Sequence, residues 1–109
     1  MLGLIGRQRL VWAHADSGRV DVIAANVRAV DARTDSGDVA VDVFGRPPRR
    51  VVARSDSGFV QVLAPKGGYA IKAITDSGEL KLEGLTHNDR AAYSIDAQTD
   101  SGDIALRAR

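Results

Sequence analysis

The tripeptide Asp-Ser-Gly occurs five times in 109 residues, and its spacing restricts what the chain can fold into. The copies are Asp16-Ser17-Gly18, Asp35-Ser36-Gly37, Asp56-Ser57-Gly58, Asp76-Ser77-Gly78 and Asp100-Ser101-Gly102. Successive glycines are 19, 21, 20 and 24 residues apart, the interval of one structural unit in a repeat array. Each copy stands between two short runs of period-two alternation. Each unit therefore reads as a strand, a tight turn and a second strand.

Aligning the copies on the turn exposes columns of matched size. Before it run Val11, Val30, Val51, Ile71 and Ile95, then Ala13, Ala32, Ala53, Ala73 and Ala97. After it run Val20, Val39, Val60, Leu80 and Ile104, then Val22, Val41, Val62, Leu82 and Leu106. A sixth position after the glycine is small or branched: Ala24, Val43, Ala64, Gly84 and Ala108. The intervening positions are mixed and mostly polar, so one face is buried and the other solvated.

Such columns arise when coils stack at the ~4.8 Å strand spacing and equivalent side chains share one steric environment. The expected fold is all-β: a parallel β-solenoid of about five coils of ~20 residues, each turning at an Asp-Ser-Gly corner and stacking on the last. The alternative is an antiparallel sandwich or meander in which each tripeptide closes a hairpin. Hairpins explain the alternation but not the recurrence of residue identity from unit to unit. The variable segments, Phe44 to Arg50, Ala64 to Gly68 and Gly84 to Asp89, fall opposite the Asp-Ser-Gly side.

Residues 1–109 read as one solenoid domain. Leu2 and Leu4 fit the two columns that follow the glycine, as if the chain started in mid-coil. It finishes as the fifth coil's second strand is complete, with arginines that would blunt an exposed strand edge. This pattern suggests a fragment of a longer solenoid, or ends covered by a partner.

Composition excludes several classes. Fifteen Lys and Arg against 14 Asp and Glu give no strong basic field, so nucleic acid is not an expected partner. Without cysteine there is neither a disulfide nor a thiolate metal site. No apolar run approaches the ~20 residues of a membrane helix, and the first residues are too short for a signal-peptide core, so the chain as given reads as soluble.

The pattern small-x-Thr-Asp-Ser-Gly-Asp-hydrophobic-x-hydrophobic, as in Ala32 to Val41 and Ala97 to Leu106, resembles the bacterial adhesin-like family of β-strand-repeat proteins, a domain of unknown function. The likeness covers nearly the whole chain, including Pro65-Lys66-Gly67-Gly68-Tyr69 leading into a strand. It implies a right-handed parallel β-helix from a bacterial envelope or extracytoplasmic protein. It supplies no catalytic residues, and no membrane anchor or export signal accompanies the repeats here.

The tripeptide itself invites chemical readings. Carboxylates stacked at the coil spacing could hold Ca²⁺, but an ion needs convergent oxygens rather than one outward row. The expected role is architectural, with Asp and Ser bonding their own backbone and Gly accepting a positive φ. No cofactor is expected. Five equivalent serines with only His14 and His87 do not make a hydrolase, since both histidines are expected to be solvated, one on the outward face and one in a loop. The hydroxyl row Thr34, Ser55, Thr75 and Thr99 falls by parity at the core corner rather than on an exposed ladder. Arg46, Arg49 and Arg50 are candidate contacts for an anionic polymer, against the plainer reading of a solvated loop.

The expected function is thus a non-enzymatic structural or interaction module, adhesin-like, with a protein or polysaccharide ligand. A carbohydrate-binding or carbohydrate-active β-helix, and a scaffold that self-associates through solenoid ends as a homo-oligomer, are the alternatives. The alanine column gives a direct test of the stacked core. Ala53→Leu should overpack it and lower the unfolding free energy by about 1–3 kcal/mol in urea denaturation.

Overall fold

The computed structural model describes residues 2–6, 10–46 and 48–108, and every regular element in them is a strand. Numbered in chain order, β1 (Leu2–Gly6), β3 (Val20–Ala25), β5 (Val39–Phe44), β7 (Val60–Ala64), β12 (Ile104–Ala108) and β9 (Leu80–Glu83) make the first sheet, in that spatial order. The second runs β10 (Leu85–His87), β8 (Gly67–Ser77), β11 (Ser94–Ser101), β6 (Arg50–Ser57), β4 (Ala29–Ser36) and β2 (Leu10–Ser17). Every ladder is parallel, which makes the chain a β-solenoid and excludes the hairpin array. Among the described residues no helix is long and apolar enough to cross a membrane.

Registers follow the sequence columns residue for residue. Val11 pairs with Val30, Val30 with Val51 and Val51 with Ile95, and the neighbouring alanines pair in the same order. Their side chains face the inter-sheet space, where Val30, Val51, Ile95, Ala32, Ala53 and Ala97 are buried against Val39, Val60, Ile104 and Leu106 of the opposite sheet. A parallel register brings like against like, so a small residue must be matched by small residues above and below. β1 pairs Leu2 with Val20 and Leu4 with Val22, so its backbone occupies the post-glycine columns. Met1, Arg7 to Arg9, Pro47 and Arg109 lie outside the described residues, including the part of the expected basic loop at Pro47 and the last of the C-terminal arginines.

One expectation is overturned: the coils do not stack in chain order. The fifth coil (β11, β12) lies between the third (β6, β7) and the fourth (β8, β9), hydrogen-bonded to both. Gly58 N–H donates to Ser101 O and Gly102 N–H to Ser77 O, each at 2.9 Å. The chain therefore leaves β7, skips a level, builds the terminal coil, and returns to fill the gap. Two local features make this possible. β8 is longer than its counterparts, and its added Gly67–Tyr69 stretch carries the short strand β10 on its outer edge. The skip of two levels is made between Ala64 and Gly67, and the return over 84–93, which can reach about 33 Å when extended, has only one strand spacing of ~4.8 Å to recover.

Burial follows this order. Ile95, Ala97, Ile104 and Leu106 of the fifth coil are fully buried, whereas Leu80 and Leu82 of the fourth are 50% and 42% exposed. The C-terminal strand is accordingly paired on both edges, and Arg107 does not guard an open edge as expected; its guanidinium instead approaches Glu83 at 3.8 Å. The end of the stack is closed in part by Tyr69, buried at 1% exposure, whose hydroxyl donates to Pro65 O at 2.7 Å. Burial, and secondarily Tyr93 beside it, pushes the Tyr69 pKa up.

The coil order is open to a covalent test. Arg54 is in register with Gln98, and Gln98 with Ile74. Oxidation of the pair Arg54→Cys and Gln98→Cys should form a disulfide, because adjacent strands lie ~4.8 Å apart. The pair Arg54→Cys and Ile74→Cys should not, since two strand spacings of ~10 Å exceed the ~7 Å limit for bridging. The opposite pattern, read by mass spectrometry, would mean chain-order stacking.

Candidate functional site

The Asp-Ser-Gly corners use their chemistry to join coils. At Gly37, with φ of +123°, a Cβ would run into the carbonyl oxygen of Gly18, and the same close approach recurs at Gly58 over Gly37, Gly102 over Gly58 and Gly78 over Gly102. The hydroxyl one position before each Asp then donates to the glycine carbonyl of the adjoining coil. Ser55 Oγ reaches Gly37 O at 2.8 Å and Thr75 Oγ1 reaches Gly102 O at 2.9 Å, while Thr99 Oγ1 is shared between Gly58 O and its own coil's Ser101 O, both at 3.2 Å, and Thr34 Oγ1 between Gly18 O at 3.3 Å and Ser36 O at 3.1 Å. Thr34, Ser55 and Thr99 are buried. The first coil has Ala15 at this position, and no Asp-Ser-Gly turn lies on its outer side among the described residues.

Residues after the glycine add a second tie. Asp38 Oδ1 accepts from Phe59 N at 3.0 Å and Asp103 Oδ1 from Glu79 N at 2.9 Å. Among the described residues, no side-chain hydrogen bond comes from the Asp or Ser of any copy, so the polar ties are made by the flanking positions. The five carboxylates are exposed. Among the described residues no group of three or more His, Asp or Glu side chains is placed to hold a metal ion.

The outward rows carry a different kind of chemistry. On the second sheet, the row Leu10, Ala29, Arg50 lies beside the row Trp12, Asp31, Val52, because each trio is in register across β2, β4 and β6. Ala29 is small between two large neighbours, and a groove of about 250 Å³ opens along β4. Leu10 and Trp12 form one wall, Arg50 and Val52 the other, and Asp31 stands at the end nearer the Asp-Ser-Gly side. Trp12 is 66% exposed, yet its position is defined by the His14 ring, whose centroid lies 3.9 Å away. Asp31 is held in turn by Arg33 Nε at 2.8 Å, Arg33 Nη2 at 3.2 Å and His14 Nε2 at 3.2 Å. His14 is thus half-buried in a polar cluster rather than solvated. His87 also departs from its expected loop: it ends β10, and its Nδ1 accepts from Ile71 N at 3.0 Å.

The first sheet carries a similar groove of about 370 Å³ floored by Ala40. Two of its charged lining residues pair with each other, Arg19 Nε sitting 2.8 Å from Asp21 Oδ1. That hydrogen bond, with the attraction of the same carboxylate, raises the Arg19 pKa above its ordinary value.

Arginines divide by location. Arg19, Arg33, Arg54 and Arg107, on the sheets or at the corners, all form ion pairs. Among the described residues Arg28, Arg46, Arg49 and Arg50, on the loop side, form neither ion pairs nor side-chain hydrogen bonds. Their backbones are nevertheless fixed. Arg49 N and Arg50 N both donate to Arg28 O, at 2.8 and 3.2 Å, and Ser94 N donates to Arg49 O at 2.8 Å. Arg46 N donates to Asn26 Oδ1 at 2.9 Å. The three expected anion contacts therefore share an edge with Arg28, and Arg50 also lines the Trp12 groove. Sequence reading missed Arg28, Trp12 and Asp31. The available signal was Ala29, a small residue in an outward row, which opens space only when its cross-strand neighbours are large.

Comparison with protein-family models, with curated proteins and with solved structures finds no match to this chain.

Proposed function

We propose that the chain is a non-enzymatic interaction module of adhesin-like type, a rigid solenoid that engages an anionic partner along its arginine edge. The observation that carries this reading is the division of the arginines. Those on the sheets and at the corners are neutralised, while four on one loop side hold fixed backbones and leave their guanidiniums unengaged among the described residues. Guanidiniums spaced by a rigid ladder suit a linear polyanion, because the ligand's charges meet them without ordering the protein first. The bacterial envelope setting implied by the sequence resemblance would place such a surface among anionic glycopolymers. Against glycoside hydrolysis in the groove along β4 stands its single lining carboxylate, Asp31, where that reaction uses a pair.

Retention on an immobilised carboxylated polysaccharide tests the edge. Arg46→Ala, Arg49→Ala and Arg50→Ala combined should elute at clearly lower salt than a control with Arg33→Ala, Arg54→Ala and Arg107→Ala, which removes the same charge from paired positions. Unchanged circular dichroism establishes that the first variant is folded. Equal elution of the two would mean that retention reflects net charge alone.

Self-association is a second reading, favoured by the exposed Leu80 and Leu82 on the edge strand β9. Lys81 and Glu83 flank Leu82, so two β9 edges paired antiparallel about Leu82 would set each lysine opposite a glutamate. Sedimentation velocity should then show a concentration-dependent dimer that Leu82→Lys abolishes. A monomer at all concentrations removes this reading.

A further inference from the structure

The groove along β4 is more specific than the arginine edge it adjoins. We propose that it is a subsite for one carboxylated pyranose residue of an anionic polysaccharide, an assignment that rests on the interaction-module reading and names its ligand class. Three features converge on this chemistry. An exposed indole on a rigid strand offers an apolar plate to the C–H face of a sugar ring. Left in water at 66% exposure and braced by His14, Trp12 has no comparable packing role in the core. Opposite it, Arg50 lines the groove at the loop-side end with no ion-pair partner among the described residues, and can meet a carboxylate with two parallel N–H donors.

At the other end Asp31 provides acceptor lone pairs for ring hydroxyls. Its charge is already offset by Arg33, and His14 Nε2 lies within hydrogen-bond reach of it, so repulsion of a carboxylate bound near Arg50 is reduced. The polarity of the groove is therefore directional: guanidinium at the loop-side end, indole along one wall, and a carboxylate paired with Arg33 at the end nearer the Asp-Ser-Gly side. At about 250 Å³ it lies below the usual ~300–1,000 Å³ of drug-sized pockets, a scale that suits a single sugar ring. Arg28 and Arg49 precede Ala29 and Arg50 at the loop-side end, where the next residues of a bound chain would run.

Trp12 is the sole tryptophan, so its emission reports on this groove alone. Titrating the intact chain with oligomers of galacturonate, glucuronate and mannuronate should give a saturable change in Trp12 fluorescence with at least one of them. The methyl ester of that oligomer, which keeps the ring and loses the charge, should bind at least about tenfold more weakly, as should Arg50→Gln. Ala29→Leu, which fills the floor without touching the core, should abolish the change, and an unaltered circular dichroism spectrum shows that both variants are folded. Emission that stays flat with every oligouronate overturns the subsite. So does an equal response to acid and ester, or an equal response to a single-stranded oligonucleotide. If the wild-type chain is still retained on carboxylated polysaccharide in an arginine-edge-dependent way while Trp12 stays silent, the subsite falls and the interaction-module reading stands. If removing the edge arginines leaves retention unchanged, the interaction-module reading itself falls.

Discussion

The approach of glycine to glycine at the Asp-Ser-Gly corner sets the geometry of the whole molecule. Each glycine carbonyl fills the space that a Cβ on the next glycine would take, and the same carbonyl accepts a hydroxyl from the Thr or Ser beside it. A residue with a side chain would have to push adjacent coils apart and also adopt a positive φ, two penalties at one site. The hydroxyl matters for a separate reason. The corner carbonyls lie in part-buried contacts between coils, and an acceptor left without a donor when fully buried costs about 1–3 kcal/mol. Glycine therefore permits the close stack and Thr or Ser satisfies it, which explains why glycine recurs in all five copies and a hydroxyl in the four whose corner stacks over another corner's carbonyl.

A stack held by identical corners does not specify the order in which coils occupy it. The second to fifth coils offer one another the same carbonyl, hydroxyl and alanine column, so their order must be decided elsewhere. Here the long connection and the elongated β8 decide it, and the last coil closes the gap between the third and fourth. The outcome has an energetic logic. The C-terminal strand gains a partner on each side and cannot fray as an edge would, while the terminal coil is the one extended by β10 and sealed by Tyr69. Its outward residues Lys72, Lys81 and Glu83 are exposed and suit a solvated edge, whereas the fifth coil buries Ala105 in register with Lys81.

The interior was legible in the sequence because parallel stacking converts a structural repeat into a chemical one. The Val, Ala and Leu columns, the buried position of Thr34, Ser55 and Thr99, and the half-coil register of Leu2 and Leu4 all follow from spacing. What escaped notice depends on pairing between coils whose neighbours are not adjacent in the chain. The position of β11 between β6 and β8 is one example. The only local trace of it is the 24-residue gap before the last glycine, which looks like any loop insertion. The bonding at the corner is another: a lone Asp-Ser-Gly favours an Asx turn, whereas in the stack the flanking Thr and Asp reach farther, to the next coil.

The same distinction separates structure from function on this molecule. Columns that build the fold must be uniform, since one deviant side chain disturbs the coils above and below it. Chemistry that recognises a ligand must be non-uniform, because specificity requires unlike groups at fixed separations. On the proposed reading, function lies in the departures from repetition in the outward rows: Trp12 aligned with Asp31 and Val52, and Leu10 with Ala29 and Arg50. A solenoid makes such departures tolerable, since outward positions sit on a backbone already fixed by the interior. Rigid placement then lowers the ordering cost of binding, so even a shallow groove can contribute measurable affinity when neighbouring coils present arginines at the strand spacing. On the proposed reading, affinity should grow with ligand length, whereas discrimination between sugars should be confined to the three coils that carry Trp12, Ala29 and Arg50.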